Sequence, residues 1–525
     1  MRESRRRPRP GTPRRRKATH VSEERRTPGA GTITVAALAV MNIVAVVSLR
    51  GLPAEAEYGL ASTFYYLFAA LFFLAPVGLV AAELATGWPE EGGMFRWVGE
   101  AFGSRWGFLA IFMVFIEGCI WFPTILTFAA VTLAYTGDAA SAPRLSGDKV
   151  FVLAVVLAVF WLATLIALRD VKSFSQVAKW GGIVGTLVPA AILIGLAAAY
   201  LAAGNPSQVE LSWGAFVPDL SKVSNIVLAA SIFLFYAGME MNAVHVRSIK
   251  NPIRNYPIAI LVAALGAVVV LVLGTLAIAV VIPTGQIDLT QSLLTAYHLL
   301  LSWAGVGWAA PYLAAMLAVG VLAGIVTWVA GPATGLLSVA RAGYLPRWLH
   351  RTNRAGMPSR ILLVQAAVVT VLSVLFVVLP SVQAAYQLLS QLTVILYLVA
   401  YVLMFAAVIA LRYSQPARPR RYHVPGGIVG VWVIGGCGLL AAALALVVSF
   451  VPPAQVEVGS PTTYVGLLVG LSVVFVALPF WAYAARRASW RDETLDFAPF
   501  TWQVGAQESE IRGAGAQAAP PEAPA

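Results

Sequence analysis

The chain alternates between long apolar blocks and short polar interruptions. A continuous apolar block of roughly 20 residues is enough to cross a bilayer as a helix. Twelve blocks approach or exceed that length: 32–52, 61–86, 104–135, 150–168, 177–203, 223–246, 257–282, 309–339, 360–379, 384–411, 428–451 and 463–485. They are unbroken apolar runs rather than alternating ones, so they predict helices and exclude a transmembrane β-barrel. The expected fold class is an all-α polytopic membrane protein with 12 transmembrane helices.

Two blocks carry polar residues where a smooth span would carry none. The sixth contains "FLFYAGMEMN" (233–242), with Gly238, Glu240 and Asn242 in quick succession. A carboxylate at membrane depth costs about 2.5–3.5 kcal/mol on insertion scales, and a glycine loosens the helix at the same place. Irregular backbone survives in a bilayer only where it is buried in protein or lines a cavity. Transporters use such breaks, in pairs, to bind polar solutes at the midplane. The partner break, five spans earlier, falls in "TVAALAVMNIVAVVSLRGLP", which has Asn42 at its middle and Arg50-Gly51 near its end. Asn42 alone also fits an interhelical hydrogen bond. Breaks five spans apart suggest a 5+5 repeat followed by two further helices.

Other polar positions inside the blocks admit two readings each. Glu117, in "FIEGCIW", is a buried acid that either faces a pathway or is held structurally. Tyr397 and Tyr401 are four apart and share one helix face, either lining that pathway or packing. Glu83 closes the second block at an interface, and Lys179 and His245 lie near span ends where they snorkel.

Composition adds to this in three ways. The chain is 59% hydrophobic and 11% charged, against about 25% charged in soluble domains. Its two cysteines, Cys119 and Cys437, fall inside predicted spans as buried thiols, and its five histidines are scattered, so no disulfide framework, metal or cofactor is expected. There is no nucleotide-binding G-x-x-x-x-G-K-[ST], nucleophile elbow or H-E-x-x-H, so neither ATP-driven pumping nor enzyme activity is indicated.

The basic residues set the orientation. The first 30 residues hold 11 Lys and Arg. With the N-terminus inside, the inner turns and the flank after the last span hold 20 more, and the outer turns hold Arg50, Arg144, Lys149 and Lys222. Both termini are therefore expected in the cytoplasm of a cell with the protein in its inner membrane. The basic segment reads as an anchor to anionic lipid rather than a nucleic-acid site, having no aromatic interleaving. Three regions are expected: a disordered basic tail (1–31), a transporter domain (32–487) and a polar, Ala/Pro-rich, disordered tail (488–525).

Several stretches resemble one family. "ELATGWPEEGGMFRWVGEAFGSRWGFLAIF" (83–112), "FYAGMEMNAVHVRSIKNPIRNYPIAI" (235–260), "VLAGIVTWVAGPATGLLSVARAGYLPRWLHRTNRAGMPSRI" (321–361), "YHVPGG" (422–427) and "VVSFVPP" (447–453) are similar, in order, to bacterial glutamate/GABA antiporters of the amino acid–polyamine–organocation superfamily. The similarity runs from about 32 to 487. It implies a LeuT-like fold of two inverted five-helix repeats, with helices one and six broken around a central site. It also implies that amides at the first break (Asn42, Ile43, Val44, Ala45) hold a substrate carboxylate. Carbonyls at the second (Phe235, Tyr236, Ala237, Gly238) would hold its ammonium. Glu240, Tyr397 and Tyr401 match family residues and, with Glu117, are the gating or proton-linked candidates. The chain departs from its relatives in three places: it has "NIVAV" instead of a Gly-Ser-Gly first break, Gly324 in place of an acid in the eighth helix, and no histidine after His423.

The expected function is an amino acid transporter, an antiporter exchanging an amino acid such as glutamate for an amine or GABA-like product. The open alternative is a proton-coupled amino acid or polyamine symporter; a receptor or scaffold without transport is the reading from another class. The expected partners are a small amino acid or amine and the lipid bilayer, with no nucleic acid.

Overall fold

The computed structural model describes residues 34–90, 92–137, 140–169, 180–210, 212–221, 223–240, 251–493 and 497–504. Among these the regular structure is helical throughout, with no strand. Nine helices in the described residues are long and apolar enough to cross a membrane. They fall on predicted blocks two to five, seven and nine to twelve. The eighth block is α11 (Ala310–Val339), and the remaining two, the first and sixth, are discontinuous.

Burial sorts the spans. The most apolar stretch of α5 (Ser104–Ala134) is 83% buried and that of α13 (Val382–Ser414) 72%, whereas that of α15 (Pro461–Ala484) is only 22%. The first two therefore form the centre of the bundle. α15 and its neighbour α14 (Gly427–Val448) present Leu440, Val447 and Trp481 outward, a surface that suits hydrocarbon and not water. Helices approach closely only where side chains vanish. Gly185 in α7 (Trp180–Ala202) meets Gly320 of α11 so tightly that a Cβ on Gly185 would lie 2.1 Å from the Gly320 Cα.

The first block breaks later than expected. α1 (Val35–Val46) is helical straight through Asn42–Ala45, and the Asn42 amide donates back to the Leu38 carbonyl within the same helix. "NIVAV" has no glycine or proline to stop it. The helix ends at Val47–Ser48, where Ser48 is extended (φ −130°, ψ 114°). A tight turn over Leu49–Gly51 then leads into α2 (Leu52–Ala56), with Pro53 in its first turn. The sixth block breaks within the predicted stretch. α8 (Ser231–Tyr236) stops, Ala237 is extended, and Gly238 adopts φ +107°, a region that favours glycine. Residues 241–250, including His245, and residues 170–179, including Lys179, lie outside the described residues.

Two short helices did not register as apolar blocks because polar residues interrupt them. α4 (Met94–Phe102) precedes α5, and α10 (Ser292–Trp303) follows α9 (Pro252–Val281). α4 is the hub of an ionic cluster at one end of the bundle. Arg96 pairs with Glu100 at 2.7 Å, and Arg418 pairs with Glu90 at 2.5 Å. Beside it, Glu83 at the end of α3 (Ala61–Gly87) pairs with Arg412 at 2.6 Å and accepts from the Val424 amide, which gives it a structural role.

The expectation of disorder across 488–525 does not hold for 497–504. Arg96 donates to the carbonyls of Ala498 and Pro499 at 2.6 and 2.9 Å, Trp502 donates to the Gly99 carbonyl, and Phe500 is buried under the Arg96 guanidinium. The composition is polar, but its few aromatic residues are spaced to fill the groove on α4. Residues 1–33 and 505–525 lie outside the described residues.

Candidate functional site

Both helix breaks face one cavity near the centre of the bundle. Its wall comprises Val46, Ser48 and Arg50 from the first break, Glu117, Gly118, Trp121 and Phe122 from α5, and Leu234, Phe235 and Ala237 from the second break. Trp328 and Pro332 of α11 and Tyr397 of α13 complete it. A helix start leaves its first amides without intrahelical partners, and a helix end does the same for its last carbonyls. The turn at Ser48–Gly51 therefore offers amides, and the end of α8 offers carbonyls. Pro332 lacks an N–H, so the Trp328 carbonyl four residues back loses its helical donor.

The second break is fixed by a compact polar knot. Glu240 accepts from the Tyr397 hydroxyl at 2.5 Å through one oxygen and from the Tyr401 hydroxyl at 2.6 Å through the other. The second oxygen also accepts from the Gly238 amide at 3.1 Å, and that amide lies 3.1 Å from the Tyr401 oxygen as well. Hydroxyl-to-carboxylate bonds of this length are the strong, charge-assisted kind. The shared face of Tyr397 and Tyr401 is real, with ring centroids 4.7 Å apart. Phe73, within a widened turn of α3 at Ala70–Leu74, packs edge-on against Tyr401 and holds it in place.

The cavity also carries a cation. Arg50 is buried, and its Nη1 donates to Thr124 at 3.0 Å and to the Tyr386 hydroxyl at 3.3 Å. Its guanidinium carbon lies 5.5 Å from the centre of the Trp121 ring, and Nε is buried without a partner. Glu117, also buried, lines the same cavity, yet no ion pair joins it to Arg50.

Of the predicted site residues, Glu240, Tyr397, Tyr401 and Gly238 converge in one hydrogen-bonded group, and Glu117, Phe235, Ala237 and Tyr397 line the cavity. Tyr236 is buried beneath it, donating to the Tyr66 carbonyl. Asn42 and Ile43 do not reach the wall, and the backbone of Val44 and Ala45 is helical. Among the lining residues not anticipated as site residues are Arg50, Trp121 and Trp328. Spacing held the clue for the aromatic pair, since Trp121 is four residues from Glu117 and Trp328 four from Pro332, each pair sharing a helix face. In the sequence Arg50 reads only as a charge at a span end.

Two discontinuous helices around a mainly apolar cavity that holds a few polar groups, Arg50, Glu117 and Tyr397, define a solute carrier. Known proteins narrow the class. The amino acid permease family model matches residues 31–474. A transporter of Legionella pneumophila, described only as uncharacterised, is 39% identical over 456 residues, covering 86% of this chain and 97% of its own. The glutamate/γ-aminobutyrate antiporter of Lactococcus lactis is 35% identical over 436 residues, 82% of this chain and 86% of that one. A probable agmatine/putrescine antiporter of the same species is 22% identical over 84% of this chain and 92% of its own. The chain belongs to the amino acid permease family. It is a multi-pass membrane transporter of amino acids and not an enzyme.

Proposed function

We propose that the protein is an antiporter, exchanging an amino acid such as glutamate for its decarboxylated, GABA-like amine across the bacterial inner membrane. The observation that carries this reading is the pair of helix breaks opening on one cavity. The Ser48–Gly51 amides receive the substrate's α-carboxylate and the α8 carbonyls its ammonium. The first-break contact is thus moved from Asn42–Ala45 to Ser48–Gly51. Similarity to two antiporters supports exchange over net flow. An exchanger reorients readily only when occupied, because the substrate closes the two breaks around itself. The excess of Lys and Arg in alternate turns supports cytoplasmic termini. We place the transporter domain at 32–487, flanked by a basic N-terminal tail and a C-terminal tail whose segment 497–504 docks on α4.

The presence of Glu240 and Glu117 in the site favours a second reading, proton-coupled symport. Counterflow separates the two. Proteoliposomes preloaded with GABA or glutamate take up labelled glutamate at least tenfold faster than empty ones, at zero potential and equal pH, if exchange is right; tenfold corresponds to about 1.4 kcal/mol of barrier. Uptake into empty vesicles that requires an inward proton gradient, and is lost in Glu240→Gln, overturns exchange in favour of symport.

A further inference from the structure

We infer that Arg50 binds a second substrate carboxylate, the one on the side chain, and that the cavity selects elongated zwitterions by its end-to-end polarity. This rests on the proposed exchange only for the identity of the two substrates.

The cavity is lined by one cationic side chain, Arg50, and one acidic one, Glu117. The Arg50 partners fix where the cation stands. Thr124 is seven residues beyond Glu117 along α5, and Tyr386 is eleven before Tyr397 along α13. Glu117 and Tyr397 share the cavity, and Thr124 and Tyr386 share Arg50, so both displacements lead toward the same end. The guanidinium touches both Trp121 and Thr124, four and seven residues beyond Glu117, so at about 1.5 Å per residue it stands roughly 6–10 Å along the bundle from the level of Glu117. Glu117 lies on the far side from Thr124, and Glu240 sits behind the lining residue Tyr397.

A buried guanidinium normally has a carboxylate partner, because desolvating a lone charge is costly. Arg50 has no carboxylate within ion-pair distance among the described residues; Glu117 acts on it only across the cavity. It has two neutral hydroxyls, both on Nη1, an aromatic face and a partnerless Nε. Hydroxyls and an indole hold the plane of the group without neutralising it. The missing counter-ion is supplied by the ligand, and the planar fork suits a carboxylate. A ligand with an ammonium at one end and a carboxylate at the other meets both ends of the cavity. Glutamate, through its α-ammonium and side-chain carboxylate, and GABA share that layout. Glutamine has no side-chain carboxylate, and a diamine would set a cation against Arg50.

The test uses full-length protein in proteoliposomes preloaded with glutamine, with glutamate, glutamine and putrescine as the labelled or competing solutes. In Arg50→Gln the KM for glutamate rises roughly 30-fold, the order expected for a lost charge-assisted pair, and that for glutamine changes less than about threefold. Arg50→Lys, which keeps the charge and loses the fork, gives an intermediate rise and guards against a misfolded first variant. Size-exclusion profiles and ligand-free melting temperatures report folding. Equal losses for glutamate and glutamine in a folded variant overturn the inference, as does a wild-type preference for putrescine. The exchange reading fails separately. If glutamate raises the melting temperature of wild type but not of Arg50→Gln, and preloading does not accelerate uptake, Arg50 keeps its role and exchange falls.

Discussion

At the scale of single residues, Gly238 is held by its backbone and not by crowding. Its φ of +107° lies where a side chain is strained, yet a Cβ built there would meet only Trp328 at 3.9 Å. Gly238→Ala therefore tests conformation with little steric confusion. It should destabilise by about 1–3 kcal/mol and, by shifting the amide that Glu240 accepts from, slow exchange at least tenfold. Thermal melting in detergent and counterflow rates read the two effects; wild-type values in both would show that the break does not need this conformation. The glycine and its acid were legible in the sequence because each is expensive inside a span. Arg50 was not, since a cation near the end of an apolar run has an ordinary explanation in topology. Only its partners, from helices some 70 and 330 residues away, reveal a charge without a counter-ion.

Among the elements, the two broken helices are pinned to each other. Ser231, opening α8, donates to the carboxylate of Glu55 in α2; Glu55 is fully buried and its other oxygen has no partner. Tyr58, just past α2, accepts from the Ala229 amide at 3.2 Å. The α2–α8 contact thus depends on one hydroxyl satisfying one acid. Ser231→Ala should cost about 1–3 kcal/mol, because it strands a buried carboxyl group, and adding Glu55→Leu should recover part of the loss. Unfolding midpoints for the two single variants and the double variant give the coupling; strict additivity would mean that the bond contributes nothing. Helix identity was readable from apolar length, and most span ends fell within a few residues. The end of α1 was not readable. Nothing in "NIVAVV" disfavours a helix, and the chain unwinds where Ser48 and the Gly51–Pro53 turn make the next segment start anew.

Across the whole molecule, α4 joins three distant parts of the chain. Arg96 and Glu100 reach the 497–504 segment, Gln415 donates to Glu100, and Arg418 pairs with Glu90. Ending the chain at residue 496 should remove about 2–3 kcal/mol, mainly the burial of Phe500, and Phe500→Ala should reproduce most of it. Melting temperatures of the truncated, substituted and full-length proteins measure this, and an unchanged value would show that the segment adds no stability. The hydrophobic pattern could not foretell this contact. A few aromatic residues in a polar tail carry no periodicity, and their partner groove exists only once α4 and α5 have packed.

The same contact orders events during synthesis. The helix at 94–102 leaves the ribosome well before its partners Phe500 and Thr501, which lie about 400 residues further along the chain. Through most of elongation Arg96 and Glu100 have only each other and Glu90. The junction at this end of the bundle is sealed only once Phe500 and Thr501 have emerged, so a chain cut short before residue 497 would insert its spans and still carry an unfinished surface open to proteolytic surveillance.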